Sequence, residues 1–320
     1  MSALLFAALT LALATGTAFG QSGYPQRQVT MVIPTTVGTA ADITARNFAP
    51  KLAQKFGRAF VVDNRTGASG NIAVSNVVKA PPDGHTILVT ASTLAVSPFL
   101  SKGVDWDPLR DLQPVALLSA ITYVLLVHPS QPVNSVKELV ALAQQRPGQL
   151  NYSSPGTGTP HHLIMEMFKL ATGANITHIP YKGTAPALTD LVGGRVETAF
   201  FPVHTANELA RGGKLRMIGS LGERRTPWTP ELPTLPEQGV NGIDVDVWVG
   251  VFAPAGTPRD IVATLSNEFI GLMNAPENRD MLFSQGIVAR TGGPDVLSRT
   301  LKADMERFRK VIAEANIKSD

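Results

Sequence analysis

The feature that most constrains the fold of this chain is the regular alternation of short apolar runs with helical patterns. The runs 28–34, 59–64 and 85–91 have the length of buried strands, and the segments 39–56 and 71–80 between them have helical spacing. A β-α-β-α order places the strands in a mainly parallel sheet with helices on both faces. Because the same order recurs in the middle of the chain, the sequence predicts an α/β protein.

Two apolar stretches are too long for simple strands and are expected to cross from one lobe to another. They are 115–129 and 245–254, and two amphipathic helices follow the second of them. A two-lobed chain that is crossed twice by extended segments can close around a ligand. The expected organisation is a discontinuous domain 1 of residues 21–124 and 245–320, a domain 2 of residues 125–244, and hinges near 122–130 and 244–254.

Residues 1–20 are predicted to be a secretory signal peptide. The apolar run 3–14 is shorter than the ~20 residues of a membrane-spanning helix, and 18–20 (AFG) offers the small residues that a signal peptidase recognises. Cleavage is expected after Gly20 or Ala18. No Lys or Arg precedes the run, which leaves an upstream start codon open, and a buried N-terminal helix is the alternative.

Composition fits an exported protein and excludes some partners. The chain has no cysteine, so it needs no disulfide chemistry in an oxidising compartment, and a periplasmic location is expected. The net charge of +3 comes from scattered Lys and Arg residues without a basic stripe. Nucleic-acid binding therefore has no support.

Three helix starts differ in one informative position. The segments 39–42 and 257–260 both read Thr-x-x-Asp, a capping-box variant in which the acid offsets the positive helix end. The segment 159–162 (TPHH) has His in place of the acid, and no acid follows until Glu166. Such a helix start, at the end of a strand, predicts either an anion site or a plain strand-to-helix turn.

Several Gly, Ser and Thr loops occupy the same position in the β-α units. Loops of this kind offer backbone donors and small hydroxyls at the ends of strands. Their repetition favours a polar cleft over isolated turns. They are 34–42, 64–71, 90–96, 152–159 and 180–186.

The chain lacks the patterns of the common catalytic sites. Neither Ser69 nor Ser154 lies in a Gly-x-Ser-x-Gly elbow, and no dinucleotide or phosphate-loop fingerprint occurs. The adjacent His161 and His162 should point to different faces of a helix, one facing the cleft or capping a backbone group and the other on the surface, so no metal site is expected. Lys182 is more simply read as a salt-bridge residue than as a Schiff-base lysine. No enzyme activity, cofactor or metal is predicted.

The loops carry a resemblance to a known family. In order, the segments YP…VTMVIPTTVGTAADITAR, VVDNRTGASGNIA, PDGHTILV, YSSPGTGTPHHL, HIPYKGTAPALTDLVGGRVE and FAPAGTP resemble those of the Bug/TctC family. Its members are periplasmic receptors of tripartite tricarboxylate transporters. The match runs from Tyr24 nearly to the C-terminus.

The resemblance implies a two-lobed, type II periplasmic binding-protein fold. It also implies a mono- or dicarboxylate held between the lobes by main-chain groups and ordered waters, and delivery to the membrane subunits of the transporter. A monomer is expected. Together the loops and the resemblance give this ligand-binding set: Thr35, Thr36, Val37, Gly38, Asp42, Ser92, Ser153, Ser154, Gly156, Thr157, Gly158, Thr159, His162, Tyr181, Lys182 and Phe201.

Two departures from the family bear on the ligand. The first loop reads PTTVGT at 34–39, where the family usually has Pro-Phe-Pro-Pro-Gly-Gly. At 200–208 (FFPVHTANE), Phe201 and Pro202 replace a polar pair of the family's usual Phe-Asp-Asn-Leu-Pro. Both changes favour an aromatic or otherwise less polar carboxylate. A ligand sensor for a signalling partner remains the alternative function, and a hydrolase or transferase on the same fold is a third.

Overall fold

The computed structural model describes residues 23–100, 103–243, 245 and 247–318. The predicted signal peptide lies outside these residues. Two sheets with flanking helices form the core, which confirms the α/β prediction. Within the described ranges, every helix is too short or too polar to span a lipid bilayer.

The strands of the first sheet are β1 (Val29–Ile33), β2 (Phe60–Asn64), β3 (Thr86–Ala91), β4 (Leu112–Ile121), β10 (Val247–Pro254) and β11 (Ile287–Gly292). Those of the second are β5 (Tyr123–Val127), β6 (Leu150–Ser154), β7 (Ile176–Pro180), β8 (Thr198–Pro202) and β9 (Arg216–Ser220). The first sheet has the strand order β11-β4-β10-β3-β1-β2, and the second has the order β7-β6-β8-β5-β9.

Helices pack on both sheets. They are α1 (Ala40–Phe56), α2 (Asn71–Val78), α3 (Ser97–Leu100), α4 (Pro108–Asp111), α5 (Val136–Gln145), α6 (Pro160–Thr172), α7 (Thr184–Val192), α8 (Val203–Arg211), α9 (Arg259–Asn274), α10 (Pro276–Ser284) and α11 (Pro294–Glu314). The sequence patterns missed the short helices α3 and α4. They also missed α10 and β11, which lie between the two expected C-terminal helices.

Each sheet is mixed, and the expectation of mainly parallel sheets needs correction. In the first sheet β1 is parallel to β2 and β3, but β10 is antiparallel to β3 and β4, and β11 to β4. In the second, β6 is parallel to β7 and β8, but β5 is antiparallel to β8 and β9. The reason is that β5 and β10 are the first strands after each passage between the sheets. Each begins at the edge where β8 or β3 ends, so it runs in the opposite direction.

The chain passes between the sheets at Thr122 and again between β9 and β10. The apolar stretch 115–129 divides into β4, in the first sheet, and β5, in the second. Every residue of Tyr123–Val127 and of Val247–Pro254 is buried. Burial on both faces explains why these strands read as continuous apolar runs. The domain boundaries and the hinges stay predictions.

One predicted cap does not form. Helix α9 begins at Arg259, with Pro258 at its N-cap position and no side-chain cap. The Thr257 hydroxyl donates instead to the carbonyl oxygen of Pro254 at 2.7 Å. The capping box expected at 257–260 is therefore wrong, because the turn before the helix uses the threonine.

Candidate functional site

The predicted ligand loops leave matching edges of the two sheets. Since β1, β2 and β3 are parallel neighbours, loop 34–39 and the turn Ser92–Ala95 follow strands that end at one edge. Strands β6, β7 and β8 likewise bring loops 155–159 and 181–183 to a common edge of the second sheet. Such edges are where open α/β sheets bind ligands.

The two edges come into contact at Gly158. A Cβ atom at this residue would lie 2.8 Å from Leu100 Cδ1 and 3.6 Å from Val96 Cγ1. Leu100 ends α3, which follows the turn that begins at the buried Ser92. Loop 156–159 of the second sheet therefore packs against the segment that carries Ser92.

The Asp42 carboxylate accepts hydrogen bonds at the start of α1. Gly38 has a φ of 86°, Thr39 is extended, and the Gly38 N–H donates to Asp42 Oδ2 at 3.0 Å. Asp42 Oδ1 also accepts from Arg46 Nε and Asn64 Nδ2, both at 2.9 Å. The buried Asp42 carboxylate thus accepts from three donors of the chain itself, and it fixes the first loop.

The hydroxyls of this loop bond within it. Thr35 Oγ1 lies 2.7 Å from Thr39 Oγ1, and the Thr39 hydroxyl is also 3.2 Å from the Thr36 carbonyl oxygen. Thr39 therefore makes no side-chain cap to α1, and Asp42 accepts from the N–H of Gly38, the residue before the N-cap. The capping box expected at 39–42 is wrong, although its acid does satisfy a free N–H. Asn64 Nδ2 holds the Thr35 carbonyl at 3.0 Å. Thr36 is exposed, and Val37 is 68% exposed.

The start of α6 repeats the geometry of α1 with an imidazole in place of the carboxylate. Gly158 has a φ of 78°, Thr159 is extended, and the Gly158 N–H donates to His162 Nδ1 at 3.0 Å. A ring nitrogen that accepts carries no proton, so the His162 ring is neutral with its proton on Nε2. The first turn of α6 has no acid and no side-chain cap. This helix end therefore keeps the partial positive charge that Asp42 offsets in the first lobe.

Backbone turns shape the loop before α6. The Ser154 hydroxyl lies 3.2 Å from the Gly156 nitrogen and 3.1 Å from its carbonyl oxygen, and Thr159 Oγ1 donates to that oxygen at 2.7 Å. Thr157 is half-buried beside them. The Ser153 hydroxyl is buried and has no hydrogen-bond partner among the described residues. An orphaned hydroxyl of this kind at the end of a strand suits a ligand or water contact.

Sequence reasoning missed His178, which lies at the centre of a stack of rings. Its ring centroid is 4.0 Å from that of His162 and 4.7 Å from that of Tyr152, with near-parallel planes. Its Nε2 atom is 2.6 Å from the Ser154 hydroxyl oxygen. The parallel register of β6 and β7 pairs Tyr152 with His178. Aligning the two strands could have revealed this neighbour, but periodicity alone does not give register.

Tyr152, the outer ring of this stack, contacts the ion pair of Glu166 and Lys169. Glu166 Oε1 accepts from the Tyr152 hydroxyl at 2.5 Å, and Lys169 Nζ lies 2.8 and 3.0 Å from the two carboxylate oxygens. His162 Nε2 is 4.0 Å from Glu166 Oε1. Burial, and next the Glu166 charge, raise the pKa of Tyr152. Because Lys169 balances Glu166, the first acid of α6 leaves the positive helix start uncompensated.

Tyr181 and Lys182 line the loop after β7. The Tyr181 N–H donates to the Ser154 carbonyl at 2.9 Å, and its hydroxyl donates to Asp190 Oδ2 at 2.8 Å. Burial, followed by the bond to Asp190, raises the pKa of Tyr181 to about 12. Lys182 is exposed. Tyr181 therefore stabilises this edge of the sheet through its hydrogen bonds, and Lys182 places an exposed positive charge beside it.

Both histidines at the start of α6 are buried, so the expectation of one surface histidine is wrong. His161 is 8% and His162 4% exposed. The His161 ring makes edge contacts with Tyr123 and Phe201, at centroid distances of 5.0 and 4.9 Å. Phe201 is fully buried. Among the described residues, no group of three or more His, Asp or Glu side chains could hold a metal ion.

Comparison with known proteins places the chain in a family. Residues 44–317 match the model of the tripartite tricarboxylate transporter family receptor, TctC. A UPF0065 protein from the tcbD-tcbE intergenic region of Pseudomonas sp. strain P51 is 35% identical over 319 residues, which are 99% of this chain and 95% of the relative.

Solved structures of similar proteins have the same fold as this chain. Rpa4515 of R. palustris, solved with adipate, is 36% identical, with a TM-score of 0.85 over 93% of this chain and all of that one. MatC of Rhodopseudomonas palustris, solved with bound malate, is 29% identical, with a TM-score of 0.78 over 90% of this chain and all of that one. The predicted two-lobed binding-protein fold is confirmed. The chain is a receptor, not an enzyme, and it belongs to the tripartite tricarboxylate transporter receptor family, TctC.

Proposed function

We propose that this protein captures a small organic carboxylate between its two lobes and delivers it to the membrane subunits of a tripartite tricarboxylate-type transporter. The observation that carries the proposal is the substitution of a neutral imidazole for a carboxylate at one of two equivalent helix starts. His162 accepts from the Gly158 N–H as Asp42 accepts from the Gly38 N–H, at the same distance of 3.0 Å. Of these two starts, that of α6 is the one that stays attractive to an anion.

A few hydrogen bonds are enough to bind a carboxylate with micromolar affinity. A charge-assisted hydrogen bond contributes about 1.5–3 kcal/mol. A micromolar receptor needs a net binding free energy of only about −8 kcal/mol. Amides at the start of α6 and hydroxyls such as that of Ser153 can therefore hold a carboxylate without a buried arginine.

Lobe closure completes the mechanism. We take the lobes to be the two predicted domains, and the loop that carries Gly158 in one of them lies against Leu100 of the other. A ligand that bridges the edges favours the closed form, because it gains donors from both sides. We propose that the closed surface is what the membrane subunits recognise, and that the receptor acts as a periplasmic monomer after removal of residues 1–20.

A carboxylate screen tests the proposal. Mature protein is screened by thermal shift against aliphatic and aromatic carboxylates, and each stabilising compound is measured by calorimetry. Thr157→Asp should abolish binding, because it adds a negative charge to the loop, whereas Thr157→Asn should retain most of it. Indifference of the wild-type protein to all carboxylates would contradict the function. Equal affinities of the two variants would contradict the role of the loop.

A further inference from the structure

His161 is a buried polar side chain that the chain itself does not satisfy. Neither ring nitrogen has a hydrogen-bond partner within the described part of the molecule. An enclosed polar group without a partner is costly, so its retention calls for an explanation. The Ser153 hydroxyl, in the strand that leads to the same loop, is orphaned in the same way.

The ring lies over the end of the second sheet. Tyr123 pairs with Pro202, and Val124 with Phe201. Because neighbouring residues of a strand point to opposite faces, Tyr123 and Phe201 lie on opposite faces of the sheet. His161 contacts both rings, at 5.0 and 4.9 Å. It therefore covers the edge of the sheet from which the ligand loops leave.

The groups at this position, the His161 imidazole and the Tyr123 hydroxyl, are polar but uncharged. Burial lowers the pKa of His161 to about 3, so the ring is neutral and offers one N–H donor and one nitrogen acceptor. Burial also raises the pKa of Tyr123, which keeps its hydroxyl neutral. A carboxylate forced against these rings would lose its water without gaining a cation. An uncharged hydroxyl suits the donor and acceptor of the imidazole.

From these observations, and resting on the proposed function, we infer that the solute is a monocarboxylate whose carbon body ends in an uncharged polar group that hydrogen-bonds to His161. Its carboxylate lies at the start of α6, and its polar end meets the imidazole of His161. His161 is then the residue that separates hydroxy acids from dicarboxylates. Because His161 is only 8% exposed, the solute reaches its ring when the lobes separate.

Two ligand series of constant carbon skeleton test the inference by calorimetry. One is hexanoate, 6-hydroxyhexanoate and adipate, and the other is benzoate, 4-hydroxybenzoate and terephthalate. In at least one series the hydroxy acid should bind about 3- to 10-fold tighter than the acid without the hydroxyl, as one net hydrogen bond predicts. The dicarboxylate should bind at least ~10-fold more weakly than the hydroxy acid, because its second charge is unpaired.

Variants of His161 test whether this residue causes the preference for the hydroxyl. His161→Phe should remove the preference for the hydroxyl while the affinity for hexanoate or benzoate changes less than about threefold, since ring packing is kept. His161→Gln keeps a donor and an acceptor and should retain part of the preference. His204→Phe is the matched control, because His204 also has a buried Nδ1 without a partner among the described residues, but lies at the start of α8. Thermal melting checks that each variant is folded.

Two outcomes overturn the inference while the proposed function stands. One is that a dicarboxylate binds as tightly as its hydroxy acid. The other is that the preference for the hydroxyl survives both folded His161 variants. Failure of the wild-type protein to bind any carboxylate of a broad screen is a different result, because it refutes the proposed function and the inference with it.

Discussion

Replacing His162 by aspartate should turn the start of α6 into a copy of the start of α1 and thereby destroy the anion site. The Gly158 N–H, which now donates to His162 Nδ1 at 3.0 Å, would donate to the new carboxylate as the Gly38 N–H does to Asp42. The loop geometry should survive, because the φ values of the two glycines, 78° and 86°, already match. The positive helix end would then be offset from within the chain.

The magnitude follows from the spacing of the loop. Two anions that accept from neighbouring amides lie about 5–6 Å apart, and at an effective dielectric constant of 20 they repel by about 3 kcal/mol. A loss of this size weakens binding roughly 150-fold. Loss of the ring stack on His178 adds a cost of about 0.5–1.5 kcal/mol.

Isothermal calorimetry with a carboxylate that binds the wild-type protein is the assay, and His162→Asn is the matched control. Asparagine also loses the stack but adds no charge, so the ratio of the two affinities isolates the electrostatic contribution. The aspartate variant should bind about 100-fold more weakly than the asparagine variant while melting at the same or a higher temperature. Affinities within threefold of each other would refute the claim that α6 holds the carboxylate.

Three further predictions test the scaffold. Gly158→Ala should weaken carboxylate binding measured by calorimetry more than Gly38→Ala, because both residues have positive φ but only a Cβ at Gly158 would meet Leu100, at 2.8 Å; equal effects would argue against this lobe contact. Asp42→Asn should lower the free energy of unfolding in urea by about 2–4 kcal/mol, since an amide accepts at only one oxygen where the carboxylate has three donors; an unchanged midpoint would contradict this. Because the pKa of His161 is depressed to about 3 when folded and is near 6.5 when unfolded, its contribution to stability is present above pH 6.5 and falls by up to about 1.4 kcal/mol per pH unit toward pH 3. His161→Gln should flatten the pH dependence of melting in this window, and parallel curves would show that the group does not titrate as described.

Local patterns predicted most elements well. Strand β10 reads as an apolar run, and all of Val247–Pro254 is buried. The stripe of α11 includes Leu297, Leu301 and Phe308, which are buried. In contrast, α10 was missed, because it is short and has few apolar residues. Strand β11 was missed because its alternation is weak, with most of its residues only half-buried.

The sequence alone determined which loops follow strands and which helix start lacks an acid, because strand length, helical period and first-turn residues are properties of contiguous segments. It also carried the family likeness through those loops. Tertiary structure alone decided that His178 stacks on His162, that His161 lies between Tyr123 and Phe201, and that Gly158 meets Leu100. These contacts join segments far apart in the chain. They depend on strand register and on the packing of one lobe against the other, which no local period encodes.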